Sequence, residues 1–467
     1  MQVTRREFLL HTGRACFGYA LGAAAFVAGV DRFGLINAFA QGSDYRALVC
    51  VFLAGGNDGN NTVIPATTTE YAAYANVRSA SGLAIPLDSL LQLTPASIGR
   101  AFGLHPGLGR LHELWNSQRL AVVANVGPLV YPLTRERYQA GAERPYQLFS
   151  HSDQIAQWQS AIADRISSTG WGGRAADTFA PHASGFPMIT ALSGGLFTRG
   201  STTAPLSIAS APTPLDRVLV LNGFGTAADE VARRNSMALL RTLDTDQALV
   251  AAASRTTQQA LDIGQTLSAD VDLSTTFPNT TLGNQLRQVA KVIKFNSSSP
   301  GLQLNRQIFF CQLGGFDTHQ NQLATQSGLL TQLSEAVRAF YDATVELGVD
   351  NQVTTFTLSD FGRTFQPAGT GAAAGSDHAW GNHHFVVGGA VRGGDFYGEV
   401  GPGGTVFPVL QLSGPSDTDS RGRWIPTTSV EQYAATLASW YGVAPSDLPL
   451  VFPNIGRFAI ANLGFVV

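Results

Sequence analysis

Four short, continuously apolar segments constrain the fold of this chain more than any other feature. Their sequences are RALVCVFLA (46–54), LAVVANVG (120–127), QIFFCQL (307–313) and VTTFTL (353–358). Strands that are apolar on both sides are typical of parallel sheets covered by helices on both faces. The segments therefore predict the buried strands of an α/β protein.

Segments with helical periodicity precede three of these strands. They are GLGRLHELWNSQ before the second, LGNQLRQVAKVIKF before the third and LLTQLSEAVRAFYDATVELG before the fourth. This alternation predicts a mostly parallel central sheet with helices on both faces. We interpret residues 41–467 as a single domain, with the irregular and helical region near 195–280 as an insertion.

The first 40 residues have the pattern of an export signal. Arg5 and Arg6 precede a short Ala- and Gly-rich apolar stretch, and Ala38 and Ala40 fit a small-residue cleavage site. The pattern resembles a twin-arginine signal, which implies export of the folded protein by the twin-arginine machinery, often with a cofactor already installed. Because Arg14 interrupts the stretch, no stable membrane insertion is expected after cleavage. The segment predicts a periplasmic or secreted protein; the alternative is an arginine pair at the start of a cytosolic helix.

The composition bears on nucleic-acid binding and on the state of the cysteines. The formal net charge is −3, and Lys291 and Lys294 are the only two lysines, so we expect no binding to nucleic acid. Cys16 lies in the signal, whereas Cys50 and Cys311 each lie in an apolar strand. Two thiols without a metal-binding spacing favour free buried cysteines. The alternative is a single disulfide between Cys50 and Cys311.

Acidic side chains follow three of the predicted strands. Asp58 follows the first, Asp317 and His319 in GGFDTH follow the third, and Asp360 in SDFGR follows the fourth. Ligands bind outside the carboxyl ends of the strands in open parallel sheets, so we expect these side chains to meet. A divalent cation holds several carboxylates ionised in one place, and mixed Asp and His ligands suit Zn, Mn or Fe. The alternative is that each Asp is a turn former or a helix cap.

A glycine-rich loop, PAGTGAAAGSDHAWGNHH, supplies further candidate ligands. Long loops inside a compact domain are commonly functional or disordered. Its residues Asp377, His378, His383 and His384 can reach the same edge of the sheet from this loop. The alternative is that its glycine-flanked histidines are ordinary surface residues.

Candidate catalytic residues lie in LFSHSDQIAQWQ and SDFGR. Ser150 begins a helical segment, whose N-terminus stabilises an anion, so it is a candidate nucleophile, with His151 beside it as a second catalytic candidate. The alternative for Ser150 is a helix N-cap. Arg363 is the first candidate to hold a phosphate or sulfate group, ahead of Arg174 and Arg423.

Several motifs together are similar to the DUF1501 family of exported bacterial proteins. In chain order they are FLAGGNDGNNTVIP, SHSDQ, GWGGR, GGFDTHQNQ, TLSDFGRT, GSDHAWGNHHFVVGG and GRWIPTTSVEQYAATLASWYGV. The family resembles the alkaline phosphatase and sulfatase superfamily. The resemblance implies an alkaline-phosphatase-like α/β sandwich with one or two divalent metals at the strand ends and a Ser, Thr or Cys nucleophile.

Carried over residue by residue, the resemblance implies a set of metal ligands. They are Asp58, Asp317, His319, Asp360, and His378 or else His384. Ser150 resembles the nucleophile by position only. Phe361 stands where the ligand of a second metal would be, which puts a full two-metal mechanism in doubt.

The resemblance implies a metal-dependent hydrolase of phosphate or sulfate esters, with the metal as Lewis acid, Arg363 holding the anion and a histidine protonating the leaving group. Phe361 supports the alternative, a non-catalytic protein of cell-envelope assembly or binding on a degenerate hydrolase fold. Such a protein would bind a saccharide, and Trp171, Trp380 and Trp424 would be either its aromatic platform or part of the core.

Overall fold

The computed structural model describes residues 44–181, 186–215, 223, 225–267, 271–298 and 302–467. The predicted twin-arginine signal at residues 1–40 lies outside the described residues. Within these ranges, no helix has the length and apolar character that a membrane span requires.

Strands of two sheets run through the described residues. In chain order they are β1 (Arg46–Leu53), β2 (Val63–Pro65), β3 (Leu91–Leu93), β4 (Phe102–Leu104), β5 (Leu120–Gly127), β6 (Ile189–Ala191), β7 (Leu206–Ser207), β8 (Arg306–Leu313), β9 (Val353–Ser359), β10 (Asn382–Gly388), β11 (Phe396–Tyr397) and β12 (Thr428–Ser429). The central sheet has the order β11-β5-β10-β9-β1-β8-β6-β7, with β12 also paired to β5. Strands β2, β4 and β3 form a small antiparallel sheet.

The central sheet is mostly parallel. Strand β1 lies between β8 and β9 and is parallel to both, and β6 is parallel to β7 and β8. Strand β10 is the exception, because it is antiparallel to both β9 and β5. The predicted α/β class with a mostly parallel sheet is confirmed. Part of the segment interpreted as a glycine-rich loop is in fact β10, whose polar start, Asn-His-His, hides the strand pattern.

Helices cover both faces of the central sheet, as predicted. In chain order they are α1 (Gly59–Thr62), α2 (Thr68–Arg78), α3 (Gly109–Asn116), α4 (Arg135–Gln139), α5 (His151–Ser160), α6 (Trp171–Asp177), α7 (Ala228–Leu240), α8 (Ala248–Thr266), α9 (Thr281–Ser297), α10 (Gln322–Glu346), α11 (Val430–Tyr441) and α12 (Leu448–Val451). Apolar residues of α3, α9 and α10 form one buried layer. Those of α5, α6, α11 and α12 form the other.

The two strand cysteines lie in different layers of the core. Cys50 is paired in register with Phe310, and Val51 with Cys311, so the two thiols are one residue out of step on neighbouring strands. Successive side chains of a strand point to opposite faces. Cys50 accordingly packs in the layer of α11 and Cys311 in the layer of α9, and both are free. No disulfide joins them.

The three tryptophans that were candidates for an aromatic platform are buried. Trp171 and Trp380 are 0% exposed and Trp424 is 2% exposed. The indole N–H of Trp380 donates to the carbonyl of Pro128, and that of Trp424 donates to the side chain of Asn60. They belong to the core, so a saccharide platform built on them is wrong.

The region near 195–280 is partly joined to the central sheet. Its strand β7 pairs with β6, whereas α7 has no buried residue. The interpretation of residues 41–467 as one domain with an insertion stays a prediction.

Glu431 on α11 makes the stability of the fold depend on pH. It is 1% exposed, and burial raises its pKa to about 8. The folded state therefore keeps this proton at pH values where the unfolded chain, with a glutamate pKa of ~4.3, has lost it. We expect the contribution of Glu431 to be constant below about pH 4.5 and to destabilise the fold progressively as the pH rises to about 8, by a few kcal/mol in all.

Glu431→Gln should remove that component, so the variant should gain stability over the wild type at about pH 8 but not at about pH 4.5. Urea unfolding of both proteins across this pH range measures the difference. A difference that does not change with pH would contradict the assignment.

Candidate metal centre

A cluster of ionisable side chains lies at the carboxyl ends of β8 and β9. Its members are His151 at the first position of α5, Asp317 and His319 after β8, Asp360 and Arg363 after β9, and His378 in the loop before β10. The topology explains the convergence, because β8 and β9 flank β1 in parallel and end at the same edge of the sheet.

One oxygen, Oδ1 of Asp317, lies among the Nε2 atoms of three histidines. It is 3.1 Å from His319, 3.4 Å from His151 and 3.6 Å from His378. Ligand atoms around a tetrahedral ion with bonds of ~2.0–2.1 Å lie about 3.3–3.4 Å from one another. The ligand atoms of His151, Asp317 and His378 lie within 4.8 Å of one another, so these three side chains could hold one small divalent ion, with His319 beside them.

His319 and His378 are closer to each other than this tetrahedral spacing. Their Nε2 atoms are 2.9 Å apart. Two imidazole lone pairs at that distance repel unless a proton or a cation lies between them. A metal ion would relieve the repulsion and use both lone pairs.

Each of the three imidazoles faces an oxygen at its other ring nitrogen. The Nδ1 atom of His151 is 2.7 Å from Oδ2 of Asp360, that of His378 is 2.8 Å from the carbonyl of Phe149, and that of His319 is 3.4 Å from Oδ1 of Asp377. Such partners make Nδ1 the donor and leave Nε2 free to bind a metal. In the described part of the chain, Nε2 of His151 is buried and has no hydrogen-bond partner. A His/Asp site suited to a metal is therefore present.

The surroundings of the cluster shift the pKa values of three of its side chains in different directions. Burial lowers the pKa of His378, so its imidazole is neutral at neutral pH. Burial acts to raise the pKa of Asp317, but the hydrogen bond and charge of Arg363 outweigh it, so that the pKa is lowered. The hydrogen bond to Asp360 raises the pKa of His151. The site therefore combines a carboxylate with imidazoles that differ in basicity.

Arg363 does not have the role that the sequence predicts for it. Its guanidinium is 0% exposed, and its Nη2 atom donates to Oδ1 of Asp317 at 2.6 Å. Its remaining partners are the carbonyls of Gly55, Gly56, Phe316 and Ser376. Because these partners engage all three of its nitrogens, Arg363 holds Asp317 and the neighbouring loops in place and is not available to hold a substrate anion.

Ser150 precedes His151, and its hydroxyl forms hydrogen bonds within the first turn of α5. Its hydroxyl is 2.5 Å from Oδ2 of Asp153 and 3.2 Å from the hydroxyl of Ser152. Ser150 is the N-cap residue of α5, yet its side chain makes no capping bond to the backbone. The hydroxyl therefore has a carboxylate as acceptor beside the cluster.

Asp58 is not a metal ligand. It is buried, and its carboxylate forms an ion pair with Arg78 in which both side chains are 0% exposed. The same carboxylate accepts hydrogen bonds from Gln322 and from the backbone N–H of Asn60, where it caps α1. The prediction is wrong because these donors already neutralise the carboxylate and hold it inside the core.

His384 is also outside the cluster. It lies on β10 and is 0% exposed, with its ring 4.6 Å from that of Trp158 and 5.9 Å from that of Tyr433. Burial lowers its pKa to about 3. The prediction of His384 as a ligand is wrong because the strand places it against the layer of α5 and α11. His383 is also buried, with its ring stacked on Phe407.

Arg174 and Phe361, two further residues of the sequence analysis, are held or buried by neighbouring parts of the fold. Arg174 is 9% exposed and donates to the carbonyls of Val451, Thr169 and Ser160. Phe361 is buried, and its ring centroid is 4.7 Å from those of both His151 and His378. An aromatic ring thus packs against two of the histidines.

The fold and the cluster together define an α/β protein with a His/Asp site at the ends of its parallel strands. The chain belongs to the DUF1501 family, described as proteins of unknown function, whose model matches residues 45–407. A search of curated proteins gave no match.

The chain is also similar to solved structures. They include Ps i-CgsB in complex with k-i-k-neocarrahexaose, with 7% identity, coverage of 89% of this chain and 77% of that chain, and a TM-score of 0.33. A 2-O GAG sulfatase has 9% identity, coverage of 87% and 74%, and a TM-score of 0.30. A phosphonate monoester hydrolase of Agrobacterium radiobacter has 9% identity, coverage of 87% and 77%, and a TM-score of 0.30.

The buried pair of Asp58 and Arg78 should be a determinant of stability and not of metal content. Removing one partner of a buried ion pair costs about 3–5 kcal/mol, because the other charge stays buried. We expect Arg78→Ala to lower the free energy of unfolding by about that amount, measured by urea titration, with no change of metal content per folded molecule.

Arg110→Ala is the matched control, because Arg110 pairs with Glu113 on the surface and its side chain is 61% exposed. It should change stability by less than about 1 kcal/mol. Loss of metal in folded Asp58→Asn protein would make Asp58 a candidate ligand again.

Proposed function

We propose that this protein is a metal-dependent hydrolase of phosphate or sulfate esters with one divalent ion, Zn, Mn or Fe. The ligands would be His151, Asp317, His319 and His378. One observation carries the proposal: three imidazoles, two of them hydrogen-bonded at Nδ1 to an oxygen and the third 3.4 Å from one, have Nε2 within 3.6 Å of a single carboxylate oxygen. Imidazole and carboxylate ligands suit these metals, and no thiol takes part among the described residues.

The ion would supply a Lewis acid for an ester oxygen. The chain's own residues set up the rest of the reaction. Asp360 orients His151, and Arg363 fixes Asp317 while its charge keeps that carboxylate ionised. Phe361 packs its ring against those of His151 and His378 and so helps to fix their orientation.

Ser150 is the proposed nucleophile. Its hydroxyl is hydrogen-bonded to the carboxylate of Asp153, which can receive the proton as the hydroxyl oxygen attacks the phosphorus or sulfur atom. The ester P–O or S–O bond breaks in this step, the alcohol leaves with a proton from water, and water then hydrolyses the seryl ester. The first turn of α5 adds the positive end of the helix dipole near the developing charge. Direct attack by water is the alternative, and it needs no serine.

We also propose that the chain is exported through the twin-arginine pathway to the periplasm or the medium. The support is the order of paired arginines, apolar stretch and small-residue cleavage site in residues 1–40. Export of a folded protein is compatible with a metal bound before transport. The export machinery and an anionic ester or saccharide ligand are the proposed partners.

A non-catalytic binding protein is the second candidate function. Phe361 favours it, because an aromatic ring takes the place of a ligand for a second metal. A cavity of about 660 Å³ lined by Leu133, Glu399, Val400, Ile425 and Phe458, among others, could hold a ligand away from the cluster. A metal-loaded protein that hydrolyses no phosphate or sulfate ester would favour this candidate.

The metal content is the first prediction of the proposal. Elemental analysis by mass spectrometry, on protein purified without chelator or affinity nickel, should find about one equivalent of Zn, Mn or Fe. Asp317→Asn and His151→Ala should lower the metal affinity at least ten-fold, because each removes a ligand. His112→Ala is the matched control, since His112 bonds to the carbonyl of Gln92 and not to the cluster. Folded wild-type protein without metal would contradict the proposal.

The route of attack is the second prediction. If Ser150 is the nucleophile, Ser150→Ala should lower kcat for aryl phosphate or aryl sulfate esters by about 10³-fold or more, with the metal content unchanged. Ser152→Ala is the control, because Ser152 is the neighbouring hydroxyl in the same turn. Full activity of Ser150→Ala would assign the attack to water, whereas no activity in the metal-loaded wild type would reject the hydrolase.

A further inference from the structure

A rigid loop, residues 413–424, lies beside the metal centre. The carboxylate of Asp417 is 0% exposed and accepts hydrogen bonds from the backbone N–H groups of Ser413, Asp419, Gly422 and Arg423. The guanidinium of Arg135 donates to three carbonyls of the same loop. Because its backbone is held from inside by these bonds, the loop presents its outward side chains in fixed positions.

Two arginines of this loop reach residues of the metal centre. Arg423 donates to the carbonyl of His378 at 3.0 Å and to Asp419 at 2.8 Å, and its guanidinium lies over the ring of Phe149 at 4.6 Å. Its side chain is 21% exposed. Arg423 is therefore engaged in holding the loop against His378.

Arg421 differs from Arg423 in its free donors. Its Nη2 atom donates to Oδ2 of Asp377 at 2.6 Å, and the other oxygen of Asp377 is 3.4 Å from Nδ1 of His319. Among the described residues, its guanidinium has no second hydrogen-bond partner. Its side chain is 36% exposed. Arg421 is thus a cation with unused N–H donors, and it contacts Asp377, which in turn lies beside the proposed metal ligand His319.

We propose that Arg421 binds an anionic oxygen of the ester and is a specificity-determining residue of the site. The inference rests on the proposed function and names the residue that takes the anion in place of Arg363. Arg363 is enclosed by backbone carbonyls and Asp317, whereas Arg421 faces solvent beside the histidines. A guanidinium presents paired N–H donors that match the oxygens of sulfate and phosphate.

The pairing with Asp377 suits this role. It fixes the position of the guanidinium at one edge and leaves the other edge for the ligand. The ligand class is therefore a tetrahedral oxyanion, bound between Arg421 and the metal centre.

Isothermal calorimetry with inorganic sulfate and inorganic phosphate tests the proposal on the metal-loaded protein. Arg421→Ala should weaken binding of at least one of these anions by about ten-fold or more, because a charge-assisted bond is lost. Arg421→Gln, which keeps an N–H donor for Asp377, should lose affinity in the same way. The exposed Arg110→Ala is the control, and elemental analysis of each variant should show unchanged metal.

The outcomes separate this inference from the proposed hydrolase. Weaker anion binding in both Arg421 variants supports the inference, even if no ester is hydrolysed, in which case the hydrolase alone fails. Unchanged anion affinity in Arg421→Ala overturns it, even if esters are hydrolysed. Wild-type protein that binds neither anion when loaded with metal also overturns it.

Discussion

The buried guanidinium of Arg363 is the interaction on which the rest of the centre depends. It follows β9 and donates to the carbonyls of Gly55 and Gly56 after β1, to Phe316 and Asp317 after β8, and to Ser376 before β10. One side chain thus joins four segments that converge at the ends of the parallel strands. Carbonyl and carboxylate partners compensate for the burial of its charge. The same bonds bring Asp317 among the three histidines.

This arrangement explains why the acidic groups of the edge have different roles. Asp317 is directed to the histidines, while Asp360 accepts from the backbone N–H of Gly55 and holds His151. Asp377 lies between His319 and Arg421. Asp58 is separated from them by its pairing with Arg78 in the core. Only one of the four carboxylates faces the Nε2 atoms, which is why we propose a site for one ion.

The sequence predicted four strands of the central sheet, β1, β5, β8 and β9, because buried strands have a continuous apolar pattern. It did not predict which acidic residue faces the histidines and which one is buried in the core. Asp58 follows a strand just as Asp360 does, and its partner Arg78 lies twenty residues further on with no local signal. The true environment of Arg363 was equally hidden, since its partners are mostly backbone carbonyls, which every sequence contains. His384 was misplaced because the alternation of β10 begins inside a polar segment.

X-ray absorption spectroscopy at the metal edge tests the central claim most directly, since it reports the number and type of ligands of the bound ion. The account predicts three imidazole nitrogens and at least one oxygen at about 2.0–2.2 Å. Asp317→Asn and His378→Ala should each alter this ligand shell in the protein that still binds metal. A shell of oxygens alone, or one unchanged in both variants, would show that the ion binds elsewhere and would contradict the centre described here.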